Sequence, residues 1–112
     1  MGSVYTGTAL TGTARGTGPT AAGRVGPVLQ AGEIGRAVAL AIVELNPGAE
    51  IIDRGAYYRV LVDRCCTVTR AAVERISGRE FSLPGDLERV MPAFAGYLSI
   101  HPQAASWTHE VA

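Results

Sequence analysis

The chain has 112 residues, enough for one domain or for two small lobes that share a core. Ten basic residues, all of them arginine, balance ten acidic residues. The chain therefore has no excess of positive charge with which to bind nucleic acid or an anionic membrane surface. No apolar run approaches the roughly 18 residues that cross a bilayer, and the N-terminus lacks the pattern of a signal peptide. We therefore expect a cytoplasmic protein that binds neither nucleic acid nor membrane.

Residues 1 to 24 consist mostly of glycine, threonine and alanine, without a sustained apolar period. A segment of this composition buries too little apolar surface to offset the entropy lost on ordering. We therefore predict a flexible tail over residues 1–24 and a single folded domain over residues 25–112.

The first half of the domain reads as a βαββ lobe. A strand at Val25–Ala31 contains Pro27, which confines it to a sheet edge or a strand start. The apolar period then predicts a helix at Glu33–Leu45, ended by Asn46-Pro47-Gly48. Two further strands are predicted at Glu50–Asp53 and Tyr57–Asp63, with Arg59 and Leu61 on the face opposite Val60 and Val62.

The second half reads as a βααββ lobe. Its elements are a strand at Cys66–Val68, a helix at Arg70–Ser77 and a helix from Ser82 or Leu83, followed by strands at Tyr97–Ile100 and Ser106–Glu110. Thr69 is the predicted N-cap of the first helix and Gly78 its stop. Leu87, Val90, Met91 and Phe94 form an apolar stripe on the other helix. Pro92 interrupts it, so we expect an irregular segment from Pro92 to Gly96. The order of elements indicates the α+β class with mainly antiparallel sheets.

No set of residues points to catalysis. His101 and His109 lack a partner at metal-ligand spacing, and no Glu-x-x-His motif, nucleophile elbow or phosphate-binding loop is present. Cys65 and Cys66 are adjacent, so a strand would point them to opposite faces, and we expect two reduced thiols. We expect no catalytic residue, no cofactor and no metal site.

Six short motifs nevertheless stand in a fixed order between Val25 and Gly96. They are Val25-Gly26-Pro27, Asn46-Pro47-Gly48, Asp53-Arg54-Gly55-Ala56-Tyr57-Tyr58-Arg59-Val60, Thr69-Arg70, Gly78-Arg79-Glu80-Phe81 and Phe94-Ala95-Gly96. In this register the chain resembles the effector (coupling) proteins of bacterial multicomponent diiron monooxygenases, of the MmoB/DmpM type, with the toluene and alkene branch nearest. The resemblance implies a cofactor-free regulatory subunit, a monomer when free, that binds the hydroxylase α-subunit. It would modulate substrate access, oxygen activation and coupling in the oxidation of aromatic or alkene hydrocarbons.

The segment after the last predicted helix is our first candidate for partner binding. The break at Pro92 can present side chains outward, and in the resembled family this segment lies toward the hydroxylase. The candidate contact residues are Val90, Pro92, Ala93 and Phe94, joined by the arginines Arg59 and Arg24. The alternative for Phe94 is a place in the core, as the helical stripe suggests. For the Asp53-Arg54 pair the alternatives are a turn or ion pair and a polar rim around a docking face.

Two questions stay open at this point. Leu40 and Val43 lie opposite the core stripe of the first helix, where they are either singly exposed or covered by the other lobe or a partner. A module that binds a small ligand between the lobes is the alternative to a regulatory subunit, and an enzyme acting alone is a third reading.

Overall fold

The computed structural model describes residues 23–110, which form seven strands and three helices. In chain order they are β1 (Arg24–Gln30), α1 (Glu33–Leu45), β2 (Glu50–Asp53), β3 (Tyr57–Asp63), β4 (Cys65–Thr69), α2 (Arg70–Ser77), α3 (Gly85–Val90), β5 (Ala93–Ala95), β6 (Tyr97–Ile100) and β7 (Ala104–Thr108).

The expected flexible tail falls almost entirely outside the described residues. Residues 1–22 are not described, and neither are residues 111 and 112 at the other end of the expected domain. Arg24, which we had assigned to the tail, begins β1 instead.

The strands form two antiparallel sheets, of order β2-β3-β1-β5 and β4-β7-β6, which confirms the α+β class. One strand that the sequence did not predict connects the two halves of the chain. β5 comes from the second half of the chain but pairs with β1 of the first half, with Pro27 opposite Phe94. Gly96 then leads directly into β6 of the other sheet. The expected irregular segment from Pro92 to Gly96 is therefore mostly a strand, because the edge of β1 supplies hydrogen-bonding partners that local sequence cannot reveal.

A single core connects the two sheets. Its buried members include Val60 from the first sheet, Trp107 from the second, Ile42 from α1 and Leu87 from α3. α1 contacts strands of both sheets and also packs against α2. Both halves of the chain therefore bury their apolar faces in one shared core, which is one of the two arrangements that the chain length allowed.

Local signals account well for two of the helices. α1 and α2 have the predicted bounds. The Thr69 hydroxyl accepts a hydrogen bond from the Ala72 N–H at 3.2 Å, and Gly78 ends α2 in the left-handed conformation at φ 74°. The third helix is shorter than expected, since Leu83 and Pro84 form a turn before it.

The two cysteines are free, with Cys65 exposed and Cys66 buried, as the alternation along β4 predicted. Burial raises the pKa of the Cys66 thiol. Within residues 23–110, no helix combines the length and the apolar character needed to cross a bilayer.

Candidate partner-binding site

The first sheet has one face in the core and one face turned away from α1. On β3, Val60 and Val62 belong to the core cluster, so Arg59 and Leu61 point to the opposite side. Directly opposed residues of neighbouring strands place their side chains on the same face. We call the side turned away from α1 the outer sheet face; its residues include Arg24, Val28, Glu50, Ile52, Arg59, Leu61, Ala93 and Ala95.

A row of four residues crosses the outer sheet face from edge to edge. Ala93 of β5 pairs with Val28 of β1, Val28 pairs with Arg59 of β3, and Arg59 pairs with Ile52 of β2. All four are half-buried. Two residues that we singled out from separate parts of the sequence, Ala93 and Arg59, therefore lie in one row, separated by a single strand.

The centre of this face is apolar. Leu61 and Ala95 are 7% and 3% exposed, although neither belongs to the core cluster on the other side of the sheet. Along the sheet margin, the Arg24 Nη2 lies 2.6 Å from the Glu50 Oε1, and the arginine side chain is 28% exposed. At this exposure Leu61 and Ala95 are covered by the chain itself, so the part of the face that a partner can reach is the half-buried row from Ala93 to Ile52 and its charged margin. Such a mixture of apolar and charged side chains is usual for a protein–protein contact surface.

Two motif glycines allow the strands to meet in this arrangement. A Cβ on Gly26, which pairs with Ala95, would lie 2.2 Å from the backbone oxygen of Val60. Gly96 has φ 101°, and a Cβ there would lie 2.8 Å from the backbone oxygen of Thr108. Both contacts are closer than any side chain tolerates, so glycine is required where β5 joins β1 and where the chain crosses to the second sheet.

The remaining candidate residues occupy different environments. Pro92 is exposed, directly before Ala93. Val90 is partly buried and packs against the core. Phe94 is 9% exposed and belongs to the core cluster, so our expectation that the Pro92 break presents it outward was wrong. The cause is the alternation of β5, which turns Phe94 inward when Ala93 and Ala95 face outward.

The Asp53-Arg54 motif forms the β2–β3 hairpin. The Asp53 Oδ1 accepts a hydrogen bond from the Gly55 N–H at 2.8 Å, and the Arg54 N–H donates to the Tyr57 carbonyl at 2.9 Å. Asp53 therefore has the turn role that we gave as one of its alternatives.

Of the residues named on the outer sheet face, sequence reasoning missed five: Val28, Glu50, Ile52, Leu61 and Ala95. The period of β3 had already placed Leu61 beside Arg59. Nothing local indicated that Ala95 or Val28 would join them, because that depends on β5 pairing with β1. Within residues 23–110, no three His, Cys, Asp or Glu side chains are grouped so that they could hold a metal ion.

Comparison with known proteins places this fold in a family. The model of the MmoB/DmpM family matches residues 23–108. The effector subunit of the alkene monooxygenase system of Xanthobacter autotrophicus (strain ATCC BAA-1158 / Py2) is 40% identical over 88 residues, which cover 77% of this chain and 86% of that protein.

Chains in three solved structures have a fold similar to that of this chain. Two chains from structures of a phenol hydroxylase–regulatory protein complex match with TM-scores of 0.69 and 0.63 at 22% and 25% identity. They cover 76% and 75% of this chain and 97% and 99% of their own. The soluble methane monooxygenase regulatory protein B matches with a TM-score of 0.62 at 18% identity, over 85% of this chain and 70% of its own. Together with the family match, these findings confirm the resemblance carried by the six motifs: the chain belongs to the MmoB/DmpM family.

Proposed function

We propose that this chain is the effector subunit of a multicomponent monooxygenase and has no catalytic activity of its own. It binds the diiron hydroxylase of its system and modulates substrate access, oxygen activation and coupling in hydrocarbon oxidation. The observation that carries this proposal is the 40% identity to an alkene monooxygenase effector subunit over 86% of that protein's length. The similar chains in structures of a phenol hydroxylase–regulatory protein complex support the choice of partner.

The outer sheet face is the surface that we assign to the hydroxylase α-subunit. Ala93 is small and half-buried, so a partner can approach the backbone of β5 closely at this residue. Arg59 and Arg24 provide guanidinium groups that form directional hydrogen bonds with carboxylates. In this proposal Pro92 contacts the partner at the margin, while Val90 and Phe94 hold β5 in place from the core side.

The proposed action is a difference in affinity. An effector shifts a hydroxylase between two conformations only to the extent that it binds one of them more tightly. Each tenfold preference corresponds to about 1.4 kcal/mol. The effector therefore needs complementary contacts, and it needs no reactive group.

The test is a reconstituted system with hydroxylase and reductase, in which product formed per reducing equivalent is measured with and without this chain. We expect the wild-type chain to raise this ratio. Ala93→Arg places a long charged side chain at the β5 end of the proposed contact and should weaken hydroxylase binding at least tenfold. Ala71→Arg is the matched control, because Ala71 is an exposed alanine on α2. It should bind like wild type.

The two failures can be told apart. If the wild-type chain neither binds the hydroxylase nor changes coupling, the proposed function is wrong. If the wild-type chain acts as expected but folded Ala93→Arg acts equally well, only the surface assignment is wrong.

The small-ligand alternative has less support. Two hollows beside α1, with volumes of about 180 and 200 Å³, lie below the range of roughly 300–1,000 Å³ that is usual for ligand sites. A third hollow of about 530 Å³ is within that range, but Gly78 and four charged residues line it, so it lacks the apolar walls of such sites.

A further inference from the structure

The solvent side of α1 carries an ordered ridge that the proposed function does not use. Arg36, Leu40 and Glu44 follow at intervals of four residues and therefore form one i±4 row of the helix. Leu40 is 38% exposed and Val43 beside it is 42% exposed. The described part of the second half of the chain leaves both open, which answers the question that the sequence left open about the other lobe.

The two charged ends of this ridge differ in their partners. Glu44 pairs with Arg75 of α2, but its side chain is still 47% exposed. Arg36 is exposed and forms no ion pair with any residue in the range 23–110. A carboxylate has two oxygens and about four acceptor sites, so Glu44 can accept from a second guanidinium while it keeps Arg75.

The ridge is flanked by a concave surface on each side. Arg36 and Leu40 line both hollows. One lies between α1 and the β2–β3 edge, with Ile51 and Tyr58 in its wall. The other lies between α1 and the end of α2, with Ile76 in its wall. A raised row beside a groove is the shape that another helix packs against.

The order of charges on the ridge makes it complementary to itself. Read in one direction it is positive, apolar and negative; read in the other it is negative, apolar and positive. In the common packing class with a crossing angle of about −50°, the i±4 rows of two helices run parallel to each other. A two-fold axis near Leu40 then brings Arg36 of each copy beside Glu44 of the other, as an isologous contact requires.

We propose that α1 is a self-association surface, and that its occupant is a second copy of this chain. The contact is small, so the dimer is weak, and the chain is a monomer when dilute. This refines the expectation of a monomeric free protein without reversing it. Because α1 covers the core side of the first sheet, the dimer leaves the outer sheet face accessible, and this inference does not rest on the proposed function.

The test uses charge exchange between two single variants of the full chain. In Arg36→Glu the ridge carries two negative ends, and in Glu44→Arg it carries two positive ends. Each variant alone therefore opposes like charges across the two-fold axis. In an equimolar mixture, both contacts between the two variants join opposite charges again.

Sedimentation velocity at ~1 mM protein measures association at concentrations suited to a contact of this small size. We expect wild type to self-associate, each variant alone to do so at least tenfold more weakly, and the mixture to regain association. Raising the ionic strength from 0.15 to 1 M should also weaken wild-type association, because the Debye length falls from about 8 Å to about 3 Å. Arg54→Glu and Glu88→Arg make the same charge changes at exposed sites off the ridge and should associate like wild type.

Three results would overturn the proposal. They are a wild-type chain that stays monomeric at ~1 mM, single variants that associate like wild type, and a mixture that does not regain association. Thermal unfolding of each variant establishes that a lost association does not reflect lost folding. Arg36→Glu should unfold at the wild-type temperature, and Glu44→Arg, which also loses the ion pair with Arg75, should unfold at a somewhat lower temperature but remain folded under the conditions of the assay.

Discussion

Asn46 holds strand β4 through both atoms of its side-chain amide. Its Oδ1 accepts a hydrogen bond from the Thr67 N–H at 3.0 Å, and its Nδ2 donates to the Thr67 carbonyl at 2.7 Å. The same Nδ2 lies 2.8 Å from the Ile42 carbonyl at the end of α1. β4 is an edge strand, so a side chain at the helix end satisfies backbone groups that would otherwise lack a strand partner.

Asn46→Ala should therefore destabilise the protein although it removes little apolar surface. The amide is buried, and its loss leaves the N–H and carbonyl of Thr67 without their partner. We expect a loss of about 1–3 kcal/mol in the free energy of unfolding, measured by urea denaturation. Gln103→Ala, at an exposed loop position, is the control and should change stability by less than about 0.5 kcal/mol. An Asn46→Ala variant as stable as wild type would mean that this link contributes nothing.

Phe94→Ala should act through the core. Because Phe94 is 9% exposed within the core cluster, we expect a loss of about 3–5 kcal/mol in the free energy of unfolding. Ala93→Arg, one residue away on the outer sheet face, should remain folded. Thermal unfolding of both variants, before any binding is measured, distinguishes the two faces of β5. A small effect at Phe94 together with unfolding at Ala93 would reverse our assignment of those faces.

Gly96→Ala adds a single methyl group but should lower the stability of the protein strongly. Its φ of 101° is strained for any other residue, and the new Cβ would lie 2.7 Å from the Val25 Cγ1 and 2.8 Å from the Thr108 carbonyl oxygen. We expect a loss of about 2–4 kcal/mol in the free energy of unfolding. Gly85→Ala is the matched control: no atom lies within 4 Å of a Cβ there, and alanine favours the first turn of α3. Equal effects at the two positions would contradict the close approach at Gly96.

Acid should weaken the ion pairs and the hydrogen bond that two glutamates, Glu74 and Glu44, make with residues of α2 and the loop after it. The Phe81 N–H donates to the Glu74 carboxylate at 3.0 Å, and Arg70 pairs with it, so the pKa of Glu74 is lowered from its ordinary value of 4.5. The hydrogen bond and charge of Arg75 likewise lower the pKa of Glu44. A carboxylate with a lowered folded-state pKa stabilises the fold above its unfolded pKa, and this contribution disappears as the pH falls through the folded value.

We therefore expect stability to fall as the pH drops below about 4.5, and Glu74→Gln to reduce that acid dependence. At neutral pH the variant should be less stable than wild type, and the two curves should converge in acid. Urea denaturation between pH 7 and pH 3 checks this, with Glu88→Gln at an exposed position of α3 as the control. Parallel curves for wild type and Glu74→Gln at every pH would contradict the assignment.

The sequence alone determined the elements that obey local rules. α1 and α2 begin and end where the apolar period, Thr69 and Gly78 predicted, because caps and helical spacing act within a few residues. β2 and β3 also have the predicted bounds, since β propensity and alternation are local. The six motifs indicated the family, which the comparisons with known proteins confirmed.

Only the tertiary structure decided which residues of β5 face the core and which lie on the outer sheet face. Pairing of β5 with β1 turned Phe94 into the core and placed Ala93 in one row with Arg59, which lies far away in the sequence. The link between Asn46 and Thr67 joins a helix end to a strand by the same kind of long-range contact. Such contacts form only when distant segments meet, and their free energy depends on the whole packed core. No rule that reads neighbouring residues can therefore place them.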